Sequence, residues 1–222
     1  MIIEDRLLLQ KTAFICFASS LKGQFTFKNL SIVSGGDVAI LIDVLKDLGQ
    51  DITYNNNDLT INSHGAFHLL RPEKEIDVKG SKIVFFALSG LFASYDYNVI
   101  FVDSTQKLNS ESFHSPILAL SEMGVRFKYA PNFGFPISME GSSNLVPMDQ
   151  KIINSHSLIV LTLLTAGLHS FASINIEYDD ANDLKKILQA LNANVKCGEN
   201  SISLCLHSQN IKQNIELNIL NI

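Results

Sequence analysis

The chain repeats itself. Three helix-like segments, LIDVLKDLGQDI from Leu41, PILALSEMGVRF from Pro116 and LKKILQALNANV from Leu184, carry apolar residues at three- and four-residue spacing. Each ends on a residue that tolerates a positive φ (Gly49, Gly124, and Asn192 or Asn194) and then passes into an alternating strand. A chain of 222 residues built three times from one unit has few architectures open to it, because each unit must bury its apolar face against its neighbours.

The flanking elements recur as well. Very apolar helices are expected over Ala13–Leu21, Ile83–Phe92 and Leu158–Leu168. Each precedes a strand: QFTFKNL from Gln24, YNVIFVD from Tyr97 and ASINIEY from Ala172. Second strands, DLTINS from Asp58, FPISMEG from Phe135 and SISLCLH from Ser201, alternate with period two, and YNNND and YAPNFG read as turns between paired strands. A helix apolar all round must be buried, whereas an amphipathic one lies nearer the surface. The expected fold is therefore α/β (α+β): one domain of three helix-strand-helix-strand-strand repeats (βαβαββ type), buried helices inside and sheets outside. The repeats cover roughly 7–63, 78–141 and 147–206 of a domain over residues 1–206, with 207–222 as a C-terminal tail. That tail, HSQNIKQNIELNILNI, ends in alternating apolar residues and reads as an exposed strand open to pairing with another chain.

Hydrophobic residues make up 46% of the chain, ample for a core. The net charge of −5 speaks against a nucleic-acid partner, which calls for a basic face. Arginine occurs only at Arg6, Arg71 and Arg126. Arginine is the usual bidentate clamp for phosphate and carboxylate, so the chain is poorly equipped for a multiply anionic ligand. The apolar runs 83–92 and 158–168 fall short of the ~20 residues that span a membrane. The start, MIIEDRLLLQK, is acidic early and lacks a leader pattern. Cys16, Cys197 and Cys205 have no metal-type spacing. Cys16 reads as a buried thiol, and Cys197 and Cys205 either stay reduced, the simpler reading, or face each other across a hairpin. Together these readings give a cytoplasmic protein with neither a nucleic-acid nor a membrane partner.

VKGSKIVFFALSGLF, from Val78 to Phe92, poses the functional question. Its Lys-Gly-Ser-Lys turn either holds a phosphate at a helix N-terminus or serves only to start the helix with Ser81 as cap. The cap is the simpler reading. His64-Gly-Ala-Phe-His68 has a spacing that brings two ligands together on a helix, but Gly65 and the preceding strand argue for a loop, so no metal is expected. SGGD, from Ser34, reads as a turn with Asp37 at a helix start, and the acids of Tyr178–Asp180 read as the cap of the final helix.

The segment ASSLKGQFTFKNLSIVSGGDVAILIDVLKDLG, Ala18–Gly49, resembles the early part of the EPSP synthase (enolpyruvyl transferase) family. The likeness of pattern extends over residues 7–206. In that family each of two domains contains three such units, and an enolpyruvyl group passes from phosphoenolpyruvate to shikimate 3-phosphate in the cleft between them. The resemblance implies a ligand-facing set of Lys11, Thr12, Lys79, Gly80, Ser81, Lys82, Asn154, Ser155 and His156. The departures matter equally. The family's Lys-Ser-x-Ser-x-Arg opening corresponds to Leu8–Ala13, where both basic residues are gone. Its Asn-Ala-Gly-Thr-x-x-Arg opening corresponds to Val78–Val84, which keeps Gly80-Ser81 and has valine for the asparagine and the arginine. Glu111 or Ser112 stands where a loop arginine belongs. Each charge-assisted phosphate contact contributes about 1.5–3 kcal/mol, so losing several weakens binding by orders of magnitude. The expected function is an EPSP-synthase-like single domain that is not an active enolpyruvyl transferase alone. The alternatives are half of such an enzyme that needs a second domain or copy, and a small-molecule or protein binding module. No cofactor is implied. The partners implied are a second copy, a second EPSP-synthase-like domain, or a phosphorylated small molecule.

Overall fold

A computed structural model describes residues 3–108, 113–131, 134–152, 157–171, 173–178, 182–198, 201–204 and 213–218. The first unit comprises α1 (Ile3–Ser20), β1 (Lys22–Lys28), α2 (Asp37–Asp47), β2 (Asp51–Asn55) and β3 (Asp58–His64). The second comprises β4 (Ile76–Asp77), α3 (Lys82–Phe92), β5 (Asn98–Val102), α4 (His114–Glu122), β6 (Arg126–Ala130) and β7 (Gly134–Glu140). The third comprises β8 (Met148–Ile152), α5 (Ser157–Leu168), β9 (Ile174–Tyr178), α6 (Asn182–Ala190), β10 (Val195–Cys197) and β11 (Ser201–Leu204), and β12 (Gln213–Asn218) follows.

The three sheets share one plan, in the orders β12-β1-β3-β2, β4-β5-β7-β6 and β8-β9-β11-β10. In each, a leading strand pairs parallel with the next, and two antiparallel strands complete the sheet. The leading strands β4 and β8 were not legible in the repeat pattern. No strand among the described residues precedes α1, and β12 takes that place, parallel to β1 from Gly23↔Gln213 to Lys28↔Asn218. The tail strand expected to await another chain is thus paired within its own. Ile215 and Leu217 pack half-buried on the core. Lys28 Nζ lies 3.2 Å from Asp58 Oδ2 and 3.3 Å from Glu216 Oε1, tying β3, β1 and β12 together.

The core lies where expected. α1 from Thr12 onward, α3 from Ile83 and α5 from Ile159 are buried on every side. α3 and α5 lie in close contact: Thr162 Oγ1 donates to Phe86 O at 3.2 Å, and Gly90, one turn on from Phe86, lies against Thr162 and Thr165. Phe85 meets Phe86, Phe101, Phe113 and Phe135 at ring-centre distances of 5.0 to 5.7 Å, in the tilted and edge-on geometries aromatic quadrupoles favour. α2 turns Val38, Leu41, Ile42 and Leu45 inward and Asp43, Lys46 and Asp47 to solvent. Gly49, Gly124 and Asn192 adopt φ of +85°, +101° and +50° just beyond α2, α4 and α6, the left-handed stops expected of them. Asn56 and Asn57, at φ +52° and +65°, make the two-residue turn of the β2–β3 hairpin.

α1 begins ten residues before the expected Ala13, and it spans 18 residues against 11 for α3 and 12 for α5. The extra length is about 10 Å at 1.5 Å per residue. The EDRLLLQK stretch contains no helix breaker, and the Arg6 guanidinium forms a forked ion pair with Asp183 on α6 that anchors the extension. Among the described residues, no helix is long and apolar enough to cross a membrane.

Candidate functional site

The chain enters α3 through Lys79 (φ +48°) and Gly80 (φ +77°), two successive left-handed residues. Glycine is required at position 80. A Cβ there would stand 2.5 Å from Thr105 Oγ1 and 3.3 Å from Lys107 Cβ, because loop 103–108 lies directly on the turn. Ser81 is the N-cap: its Oγ accepts from the Val84 N–H at 3.2 Å. The Ser81 N–H donates to Val78 O at 2.8 Å. Asp77 Oδ1 accepts from the Lys79 N–H at 2.9 Å and the Ser104 N–H at 3.1 Å. Asp103 accepts from the Thr105 N–H (3.0 Å), the Thr105 hydroxyl (2.7 Å) and the Leu108 N–H (3.0 Å).

Two carboxylates therefore flank the turn. Burial opposes ionisation of Asp77, but hydrogen bonds from Ser104 and Lys79 outweigh it and hold the carboxyl below its ordinary range. For Asp103, burial is likewise outweighed, by the Thr105 hydroxyl and by the backbone N–H groups of Leu108, Thr105 and Lys107. A hollow of about 430 Å³ beside the loop is lined by Glu75, Asp103, Gln106, Leu108 and Phe135 among others, so its charged lining is acidic. The positive charges are Lys79 and Lys107, both exposed, with the Lys107 stem lying on Gly80, and Lys82, half-buried with Nζ 5.8 Å from the Phe86 ring centre and its pKa lowered by burial.

Lys79, Gly80, Ser81 and Lys82 form one turn. Lys11 and Thr12 sit elsewhere, in the middle of α1 and not at its opening, because the helix starts so early. Thr12 is buried and its Oγ1 donates to Leu8 O at 2.9 Å. Lys11 Nζ donates to Ser31 O at 2.6 Å, and burial lowers its pKa. No hydrogen bond among the described residues joins Lys11 or Thr12 to the α3 turn. Asn154, Ser155 and His156 lie outside the described residues, as do Glu111, Ser112, Asp179, Asp180 and Cys205.

Of the positions matched to lost motif residues, Ala13, Val78 and Val84 are 0% exposed, and Leu8 is half-buried against the core. The arginines serve the fold: Arg6 with Asp183, Arg126 with Glu140 across β6 and β7, and Arg71 with its guanidinium carbon 6.0 Å from the Tyr97 ring centre. Cys16 is fully buried, which pushes its thiol pKa up. Sequence reasoning missed Asp77 and Asp103. The available signal was the Asx turn, an Asp bonding the backbone two residues on, in Asp77-Val-Lys79 and Asp103-Ser-Thr105.

Solved structures similar to this arrangement include enolpyruvyl transferases. The enolpyruvyl transferase NikO from Streptomyces tendae matches with a TM-score of 0.64 at 15% identity, over 96% of this chain and 49% of its own. The particular likeness is to EPSP synthase. That of Acinetobacter baumannii matches with a TM-score of 0.78 at 19% identity, over 95% of this chain and 47% of its own. In sequence, the 3-phosphoshikimate 1-carboxyvinyltransferase of Oceanobacillus iheyensis is 28% identical over 194 residues, 86% of this chain and 44% of that protein. The Streptococcus suis protein of the same name is 26% identical over 158 residues, 70% of this chain and 36% of its own. No protein-family profile matches the chain. The chain resembles a single three-repeat domain of an EPSP synthase and spans half or less of the length of each of these relatives.

Proposed function

We propose that this domain keeps the EPSP-synthase scaffold without its grip on anions, and does not by itself transfer an enolpyruvyl group. The observation that carries this reading is the placement of charge. All three arginines are engaged within the fold, while Asp77 and Asp103 hold their carboxylates beside the one turn that keeps the family's Gly-Ser. A phosphate at that turn would meet these two carboxylates set among three lysines, Lys79, Lys82 and Lys107, with no arginine to clamp it. The domain then acts as a structural or regulatory relative of the enzyme. A cytoplasmic setting belongs to this reading, supported by the free thiols of Cys16 and Cys197.

Calorimetric titration with shikimate 3-phosphate, alone and then with phosphoenolpyruvate present, tests the reading, together with an assay for turnover. The expected result is neither binding at millimolar ligand nor product. Micromolar binding or turnover would overturn it. A second reading is favoured by the length of the relatives, each at least about twice the matched segment: the domain completes a cleft with a second EPSP-synthase-like domain or a second copy. Light scattering that finds only monomer, with no partner retained in a pull-down, would remove it.

A further inference from the structure

Residues 64–70 leave β3 and return to the body of the domain in a tight loop, turned by Gly65 (φ +93°) and Phe67 (φ +66°). The loop is fastened at several points. The Gly65 N–H donates to Ser63 Oγ at 3.0 Å, the Leu69 N–H to the Tyr95 hydroxyl oxygen at 3.0 Å, and the Leu70 N–H to Leu48 O at 2.9 Å. The Phe67 ring stacks on Phe171 at 5.5 Å and 15°. These fixings bring the imidazoles of His64 and His68 together at a tilt, with ring centres 5.7 Å apart and planes 33° apart. The spacing alone had placed such a pair together only on a helix. Two positive-φ residues achieve the same in a loop.

We propose that His64 and His68 form a two-imidazole site for a divalent transition metal ion, Zn²⁺ or Cu²⁺. The ring separation fits. An ion about 2.0–2.1 Å from an imidazole nitrogen lies about 3.2 Å from the ring centre, so two rings on one ion have centres between about 5.2 Å apart (tetrahedral) and about 6.4 Å apart (opposed). The tautomer fits as well. His68 Nδ1 lies 2.9 Å from Ala66 O. A carbonyl oxygen only accepts, so Nδ1 carries the proton and Nε2 keeps its lone pair, the way a backbone carbonyl orients a metal-binding imidazole.

Both histidines are exposed, so an ion can enter and complete its shell with water. A pair of imidazoles without a carboxylate selects zinc or copper over calcium or magnesium. Among the described residues no group of three or more His, Cys, Asp or Glu forms a metal site, so this site has two protein ligands. Lys22 pairs with His64 across the ladder and shares its face, which opposes a cation and keeps the affinity modest.

The test is calorimetric titration of the full chain with Zn²⁺ and with Cu²⁺, alongside His64→Asn and His68→Asn. Both positions are exposed, so the variants keep the fold. The expected result is one ion per chain, at least about tenfold weaker in either variant, with the copper resonance split by two nitrogens. Absence of saturable uptake, or uptake that both variants leave unchanged, would overturn the proposal.

Discussion

His169 shows what a single misplaced polar group does to stability. It follows α5, is fully buried, and has no hydrogen-bond partner for either ring nitrogen among the described residues. Its neighbours are aromatic: Tyr95 at 5.9 Å and Phe67 at 6.4 Å between ring centres. Burial pushes its pKa down to about 3. In the unfolded chain the imidazole titrates near 6.5, so below that pH the unfolded state takes up a proton that the folded state refuses. The contribution to stability is therefore intact above about pH 6.5 and is lost progressively as the pH falls toward 3. At pH 5 the loss amounts to about 2 kcal/mol. His169→Phe removes the titration and is expected to flatten the acid limb of urea-unfolding stability against pH. An acid limb as steep as the parent's would assign the proton uptake to other groups.

At the scale of elements, the contact between α3 and α5 rests on one small residue. A Cβ on Gly90 would stand 2.5 Å from Thr162 O and 2.9 Å from Thr165 Cβ. A backbone carbonyl cannot swing aside as a side-chain tip can. Gly90→Ala is expected to destabilise the domain by about 1–3 kcal/mol through this overlap, outweighing the gain of up to about 1 kcal/mol in helix propensity. The midpoint of chemical unfolding measures it, and a midpoint at or above the parent's would mean the helices part easily here. These helices were legible in the sequence because each is an almost wholly apolar run of eleven or twelve residues, too long for a typical buried strand and too apolar for the surface. The Gly and Asn stops were legible for the same local reason. Ile76–Asp77 was not, since two residues show no period and become a strand only through β5. The start of α1 was missed because Arg6 finds Asp183 only in three dimensions. At the candidate site, Ser81 could be read as a cap from its own neighbourhood. The stacking of Thr105 on Gly80, which makes that glycine necessary, could not.

Over the whole molecule, three units of one plan close around the buried helices, and the chain reaches the last place out of turn. The strand that leads the first sheet follows the third unit in sequence, so the β1–β12 pairing joins Gly23 to Gln213 across 190 residues. Loop closure costs grow with the separation bridged, and folding slows as contacts become less local. Spatial order and chain order thus differ by one cyclic shift. A circular permutant with β12 moved ahead of α1 would run through the three units without interruption. It is expected to melt in one cooperative transition, as the parent fold should, and to refold faster in stopped-flow measurements. A permutant that melts in steps would show that the existing order, with the final strand sealing the first sheet, is itself what couples the three units.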